Sequence, residues 1–475
     1  MLNLRSPGAV LLVSCYELGH QPLGVALPLA FLERAGFAPV ALDISVEDFD
    51  PQKVARARFV GISVPMHTAL RLGVRVAERV RQINPQALIC FYGLYAALNS
   101  EYLLEHGADF CIGGEIESPL VNLLENLERA WPTVAAGTDG AATRAGSVTG
   151  VTRRGAAEAP YLRRLPYPVP SRAALPMLSR YACLEHGPER RVTGYVEASR
   201  GCLHLCTHCP IPPVYNGRFF AIPEHVVLDD IRSQVNAGAR HITFGDPDFL
   251  NGPGHALRVV RALHAAFPEA SFDFTAKIEH ILKHPELFPE FAASGCLFMV
   301  SAVESLSDTV LTILDKNHTR QDVARALEIT RAAGIALRPT WVPFTPWTTR
   351  DDYCEMLAFI ADEGVIDHVD PVQYSIRLLV PPGSYLVNHA ALLPHLGPLD
   401  QASFSYRWVH PDPGMDGLQK QVAALVEADA KAAVDPALTF ARVRALAEGN
   451  ELERVASPLP AERVRAPRLS EPWFC

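Results

Sequence analysis

Hydrophobic positions along the first 128 residues follow two alternating patterns. The runs "AVLLVS", "APVALDI", "FVGISV", "ALICFY" and "GADFCIGG" are short, β-rich and largely apolar, whereas 23–35 and 70–83 repeat their apolar positions at helical spacing. Apolar strands alternating with amphipathic helices predict a parallel sheet covered on both faces, a Rossmann-like α/β domain over residues 1–133. Such sheets take ligands beyond the carboxyl ends of their strands. The candidate edges are therefore "SCYELGH" (14–20), "SVPMHT" (63–68), "YGLYA" (92–96) and "GGEIES" (113–118).

The pattern breaks over residues 134–190, where "AAGTDGAATRAGSVTG" and "LPYPVPSRAALP" support no periodic core; a wrapping linker is expected. A second series runs over 191–400. Strands are predicted at 194–199, 241–245, 271–276, 296–302, 336–342 and 370–376, with helices at 223–237, 254–267, 320–333 and 350–363 between them. Six βα units suit a partial TIM-type (β/α)6 barrel, with its chemistry at the strand carboxyl ends. Residues 401–475 read as a helical segment, "LQKQVAALVEADAKAA", followed by a Pro-interrupted tail.

Composition narrows the class. A chain of 475 residues holds two or three domains, and 49% hydrophobic with 20% charged residues is an ordinary globular balance. The net charge of -9 argues against a nucleic-acid surface. No apolar run approaches the roughly 20 residues of a membrane span, and the opening "MLNLRSPGAVLLVS" reads as a first strand rather than a signal peptide, so a cytoplasmic protein is expected. Ten cysteines in so long a chain make no disulfide scaffold.

Three of those cysteines, Cys202, Cys206 and Cys209, crowd into "EASRGCLHLCTHCP", directly after the first strand of the second series. Three thiolates can each hold one iron of a [4Fe–4S] cluster and leave the fourth iron open. The competing assignment is zinc with His204 or His208 as fourth ligand, although closed zinc sites usually draw ligand pairs from separated segments. Cys296 and Cys354 sit singly in apolar runs and are expected to be packing residues.

The spacing Cys202-x-x-x-Cys206-x-x-Cys209 after a strand, heading a βα series, resembles the radical S-adenosylmethionine (SAM) superfamily over about residues 190–385. His208 departs from it, since an aromatic residue commonly precedes the third cysteine. The resemblance implies a [4Fe–4S] cluster on the three cysteines, SAM chelating the open iron, a small-molecule substrate and an electron donor of flavodoxin or ferredoxin type. It nominates Gly245, Asp246 and Asp248 of "FGDPDFL", Lys277 of "TAKIEH", Glu304 and Ser305 of "AVESLSD" and Lys316 of "DKNHT" as SAM contacts.

The first domain resembles the cobalamin-binding domain of the B12-dependent radical SAM class. That resemblance makes cobalamin a candidate third cofactor and nominates Ser63, Gly93 and Gly113 as its contacts. The family's Asp-x-His-x-x-Gly motif is broken: His20 is present, Leu18 and Leu23 hold the acid and glycine positions, and Gly24 falls one place late. The tail "RLSEPWFC" resembles that of a radical SAM group ending in Cys-Cys-Ala-Glu-Pro or Cys-selenocysteine-Ala-Glu-Pro, which implies a second soft ligand beyond Cys475. That group includes an arsinothricin-pathway enzyme that transfers a 3-amino-3-carboxypropyl group from SAM to trivalent arsenic. Cys475 is accordingly the candidate substrate-capturing thiolate. Three alternatives stay open here: a cobalamin-dependent radical SAM methyltransferase, a cobalamin-binding sensor, and a zinc-stabilised interaction protein.

Overall fold

A computed structural model of the chain describes residues 3–130, 146–452 and 455–471. Two sheets organise it. The first runs β2-β1-β3-β4-β5-β6, from β1 (Val10–Ser14), β2 (Val40–Asp43), β3 (Phe59–Ser63), β4 (Leu88–Tyr92), β5 (Phe110–Ile112) and β6 (Val151–Arg153). β1 to β5 are parallel and β6 is antiparallel. Every residue of β1, β3, β4 and β5 is buried, as expected of strands covered on both faces.

The second sheet runs β14-β13-β12-β11-β8-β7-β17. Its parallel members are β8 (Glu189–Val196), β11 (His241–Phe244), β12 (Ser271–Thr275), β13 (Cys296–Glu304) and β14 (Ala336–Trp341); β7 (Cys183–His186) and β17 (Arg468–Leu469) are antiparallel edge additions. A short hairpin, β9 (Ser199–Gly201) with β10 (Phe219–Ala221), follows β8, and β15 (Leu396–Asp400) pairs with β16 (Ser405–Trp408). Helices at Glu224–Asn236, Pro253–Ala266, Arg320–Ala332 and Arg350–Asp362 cover the outer face. The last two open on capping boxes, Thr319 with Asp322 and Thr349 with Asp352.

Three segments differ from expectation. Residues 370–376 form a 3-10 turn, Pro371–Ser375, rather than a sixth strand. Pro371 lacks an N–H, Gln373 Oε1 takes the N–H of Trp341, and the Tyr353 hydroxyl takes the carbonyl of Tyr374, so side chains replace a ladder. Residues 146–190 supply an edge strand to each sheet. Arg172 in this stretch reaches both halves, bonding Gln21 at 2.9 Å, the Tyr195 carbonyl at 2.7 Å and Asp230 at 2.6 and 2.8 Å. Beyond the helices Pro413–Lys431 and Pro436–Glu448, residues 455–471 form a strap across the open side of the half-barrel. Arg463 binds Asp367 and Asp435, Arg468 binds Glu185, and Arg338 of β14 reaches the Pro467 carbonyl. The strap therefore touches both edges of the curled sheet.

Glu17 closes the turn after β1. Its carboxylate accepts the N–H groups of Leu23 at 2.9 Å and Gly24 at 3.2 Å, at the start of helix Leu23–Arg34. Burial, and then the nearby Glu197, push its carboxyl up to about 8, against an ordinary value of 4.5. A raised folded value favours the protonated acid. Its contribution is complete below pH 4.5 and is lost as pH rises through 8. Glu17→Gln should therefore match the parent at pH 4.5 and exceed its stability by a few kcal/mol at pH 8.5, read from denaturation midpoints at both pH values. An equal pH slope in parent and variant would refute this.

Candidate functional site: the cysteine loop and the strand ends

The cysteine loop hangs from the β9–β10 hairpin. The Cys202 N–H donates to the Arg218 carbonyl at 3.1 Å. Gly201 (φ +76°) is required there, since a Cβ would lie 2.4 Å from the same oxygen. Further along, the Thr207 N–H and hydroxyl bond the Leu314 and Ile313 carbonyls, and the Ser384 hydroxyl takes the Thr207 carbonyl. The loop is thus tied to the barrel at both ends and in the middle.

The three sulfurs do not gather within 4.8 Å of one another, as donors to one zinc ion must. That spread suits a larger cluster. Backbone N–H groups of His204 and Ile211 face the Cys202 and Cys209 sulfurs, and Lys316 lies near Cys206 and Cys209. Burial above all, with neighbouring acid and thiol groups, pushes these two thiols up to about 11 and 12, so their ionisation needs a compensating cation. Neither histidine of the loop completes a zinc set with them. His208 Nε2 meets Glu304 at 3.3 Å, and His204 Nε2 meets Asp248 at 3.3 Å.

The strand ends deliver the remaining candidates around this loop. Glu304, ending β13, sits at φ +66°, a left-handed conformation that a non-glycine residue adopts only under constraint. The constraint is visible: Lys316 Nζ lies 3.2 Å away and both groups are buried. Burial opposes ionisation of Glu304, but Lys316 and His208 outweigh it and hold the carboxyl at about 2. Ser305 accepts the Ser307 N–H, and buried Lys277 faces Glu279 at 3.4 Å. Asp246 is bound to the chain just before the cysteine loop, accepting from the Ala198 N–H at 2.9 Å and the Ser199 hydroxyl of β9 at 2.5 Å. Asp248 is turned toward His204 and His280. Gly245 has no space for a side chain, because Tyr195 occupies it.

A cavity of about 250 Å³ lies between the two sheets, facing the carboxyl ends of both. Ser63 and Gly93 line it with Glu17 and Tyr92; Gly114 lines it too, while Gly113 packs against Ala97. From the second domain come Glu197, Arg200 and Tyr215. One buried Glu117 oxygen has no hydrogen-bond partner and the Tyr92 hydroxyl has Ser63 beside it, so the cavity presents unmet polar demand to a ligand. The place and polarity suit the amide-fringed ring of cobalamin. Its bulk exceeds the roughly 250 Å³ of this space, which Arg200 and Tyr195 help to line. His20 offers no ligand there: it is stacked on Tyr195 at 4.4 Å, lines a different space, and burial lowers its imidazole to about 4.

That other space, about 150 Å³, is the interior of the half-barrel, closed by the strap. Its walls are charged: Asp273 binds His241 at 2.8 Å, Arg338 binds Asp370 at 2.9 Å, and Arg468 and Glu471 enter from the strap. Sequence reasoning missed this lining, and it missed the Arg200 cluster as well. Arg200 binds Glu117 at 2.7 Å and Glu197 at 2.8 Å and stands 3.7 Å from Glu115, which in turn accepts from Tyr167 and Tyr215. The available signal was charge inside otherwise apolar strand ends, "GGEIES" and "VEASRG". Cys475 lies outside the described residues.

Comparison with known proteins agrees with this layout. Residues 9–124 match the family model of the B12 binding domain, and residues 196–357 match that of the radical SAM superfamily. The tRNA-2-methylthio-N(6)-dimethylallyladenosine synthase of Desulfosudis oleivorans is 32% identical over 206 residues, which are 41% of this chain and 43% of that protein. The ribosomal protein uS12 methylthiotransferase RimO of Geobacter sulfurreducens is 27% identical over 195 residues, 38% of this chain and 42% of that one. The chain thus spans under half the length of these curated relatives. Among solved structures, the cobalamin-dependent SAM radical enzyme OxsB superposes with a TM-score of 0.68 at 15% identity, covering 88% of this chain and 66% of that one. The radical SAM methyltransferase TsrM from Kitasatospora setae superposes at 0.65 and 16% identity, covering 90% and 89%. The chain carries a B12-binding domain followed by a radical SAM domain, in the fold shared by cobalamin-dependent radical SAM enzymes.

Proposed function

We propose that the protein is a radical SAM enzyme that transfers a carbon group to a small polar molecule. The observation that carries this reading is the loop of three spread thiols at the strand ends, beside the buried Glu304–Lys316 pair. When bound, a [4Fe–4S] cluster supplies the electron that cleaves a carbon–sulfur bond of SAM. Cys202, Cys206 and Cys209 hold three irons, and Lys316 offsets their charge. We assign the polar groups of SAM to Glu304 and Ser305, buried at the end of β13, with buried Lys277 on the neighbouring strand end. The strap narrows the charged interior to about 150 Å³, which suits a small polar substrate.

The names of the curated relatives describe modification of a tRNA and of a ribosomal protein. The acidic balance of -9 and the narrow, strapped interior favour a small molecule instead. Within that class we take the transferred unit to be 3-amino-3-carboxypropyl and the acceptor to be trivalent arsenic, captured by Cys475, because a thiolate is the natural ligand for so soft a centre. Cobalamin, held between the two domains, is the carrier in the competing methyl-transfer reading. Cobalamin content of the anaerobically purified protein separates the two.

Three measurements test the proposal. Replacing Cys202, Cys206 and Cys209 by alanine should remove the iron–sulfur absorbance and all SAM cleavage; retained iron and cleavage would end the assignment. Glu304→Gln should keep the iron yet weaken SAM binding roughly tenfold to a hundredfold, the worth of a charged hydrogen bond, measured by equilibrium binding. Unchanged affinity would displace Glu304 from the SAM site. Removing residues 471–475 should abolish product from arsenite while SAM cleavage continues, as followed by mass spectrometry. Equal product with and without the tail rules out the role of Cys475.

A further inference from the structure

Three side chains from separate segments converge beside the cysteine loop without belonging to its thiol set. They are His204 of the loop, Asp248 after β11, and His280 in helix Ile278–Lys283 after β12. One donor atom from each lies within 4.8 Å of the others, the single such group among the described residues. Asp248 Oδ2 stands 2.8 Å from His280 Nδ1 and 3.3 Å from His204 Nε2. The Asp248 and His280 side chains are only 1% and 8% exposed, and His204 is 11% exposed.

The three converging atoms are buried, face one another at 2.8 and 3.3 Å, and have no partner beyond that group. One carboxylate oxygen shared by two imidazole nitrogens leaves each of them poorly met, which costs free energy at a buried site. The outer atoms are held from behind. Asp248 Oδ1 accepts the Leu250 N–H at 3.0 Å, and His204 Nδ1 faces Glu279 at 3.6 Å. Ligand residues are oriented in this manner around a metal, with a carboxylate behind the imidazole and a backbone donor behind the carboxylate.

We propose that His204, Asp248 and His280 hold a divalent transition-metal ion, separate from the iron–sulfur cluster. Two imidazole nitrogens and one carboxylate oxygen suit Zn²⁺ or Fe²⁺. The ion anchors the residue two places after Cys202 to the ends of β11 and β12, so the metal holds one arm of the cysteine loop in place.

The test uses the full chain with its cluster reconstituted anaerobically, then equilibrated with Zn²⁺ and freed of loose metal by gel filtration. Zinc is counted separately from iron. About one zinc per chain is expected, with an X-ray absorption signature of nitrogen and oxygen neighbours and no sulfur. Asp248→Asn and His280→Gln, which preserve shape, should each remove that zinc, and Glu279→Gln should weaken it roughly tenfold to a hundredfold. The same zinc should persist in the variant lacking all three cysteines. The proposal fails if the parent retains no zinc, if the zinc shows sulfur neighbours, or if Asp248→Asn and His280→Gln leave it in place. In the first case the three residues form a hydrogen-bonded triad only.

Discussion

Arg200 is the constraint on which the arrangement of the two domains turns. It lies two residues before Cys202 and binds Glu197 of its own segment together with Glu117 of the first domain, with Glu115 near by. All four groups are largely buried, and moving each charge out of water costs several kcal/mol. The contacts offset that cost only in a tight geometry, and burial pushes the Glu115 and Glu197 carboxyls upward, so the cluster sheds negative charge. Such a network adds little net stability but penalises every other arrangement of the two sheets. It fixes the carboxyl ends of one sheet against the cysteine loop of the other, which is where a ligand shared between the domains must lie.

Tyr195 extends this constraint inward. Its ring stacks on His20, fills the space beside Gly245 and borders both cavities. The interdomain space and the half-barrel interior are therefore divided by one aromatic side chain, held between a first-domain histidine and a strand-end glycine. A larger residue at 245 would displace the ring, so the absence of a side chain there is a packing requirement before it is a binding feature.

Much of this fold was legible because strands buried on both faces are unmistakable. The five parallel strands of each sheet are short apolar runs, and the helices between them repeat at 3.6. The edge strands β6, β7 and β17 were not legible. They lie in Pro- and Gly-rich or charged stretches whose pairing is settled by what the sheet edge offers rather than by their own pattern. The expected strand at 370–376 failed for a related reason: Gln373 and Tyr353 satisfy its surroundings through side chains. At the site, the cysteine spacing and the charged strand ends could be read, since thiols and acids there have few other uses. Their partners could not, because Arg200 with Glu117 is a contact across 83 residues, and Lys316 meets Glu304 only through the segment that follows β13.

The cysteine loop carries the sharpest reversal of pattern. In "CLHLCTHC" the apolar residues Leu203 and Leu205 are 46% and 43% exposed, whereas His204 and His208 turn inward to Asp248 and Glu304. A loop wrapped around a charged, compact group cannot bury its leucines, because the interior positions are needed for donors and counter-charges. The polar residues between the cysteines therefore have the anchoring task. His204 reaches the end of β11, Thr207 reaches the segment after β13, and His208 reaches the end of β13 itself. Three thiols on a loop anchored at the ends of β11 and β13 form a rigid receptor, and that rigidity is what a reaction passing through a radical demands of its container.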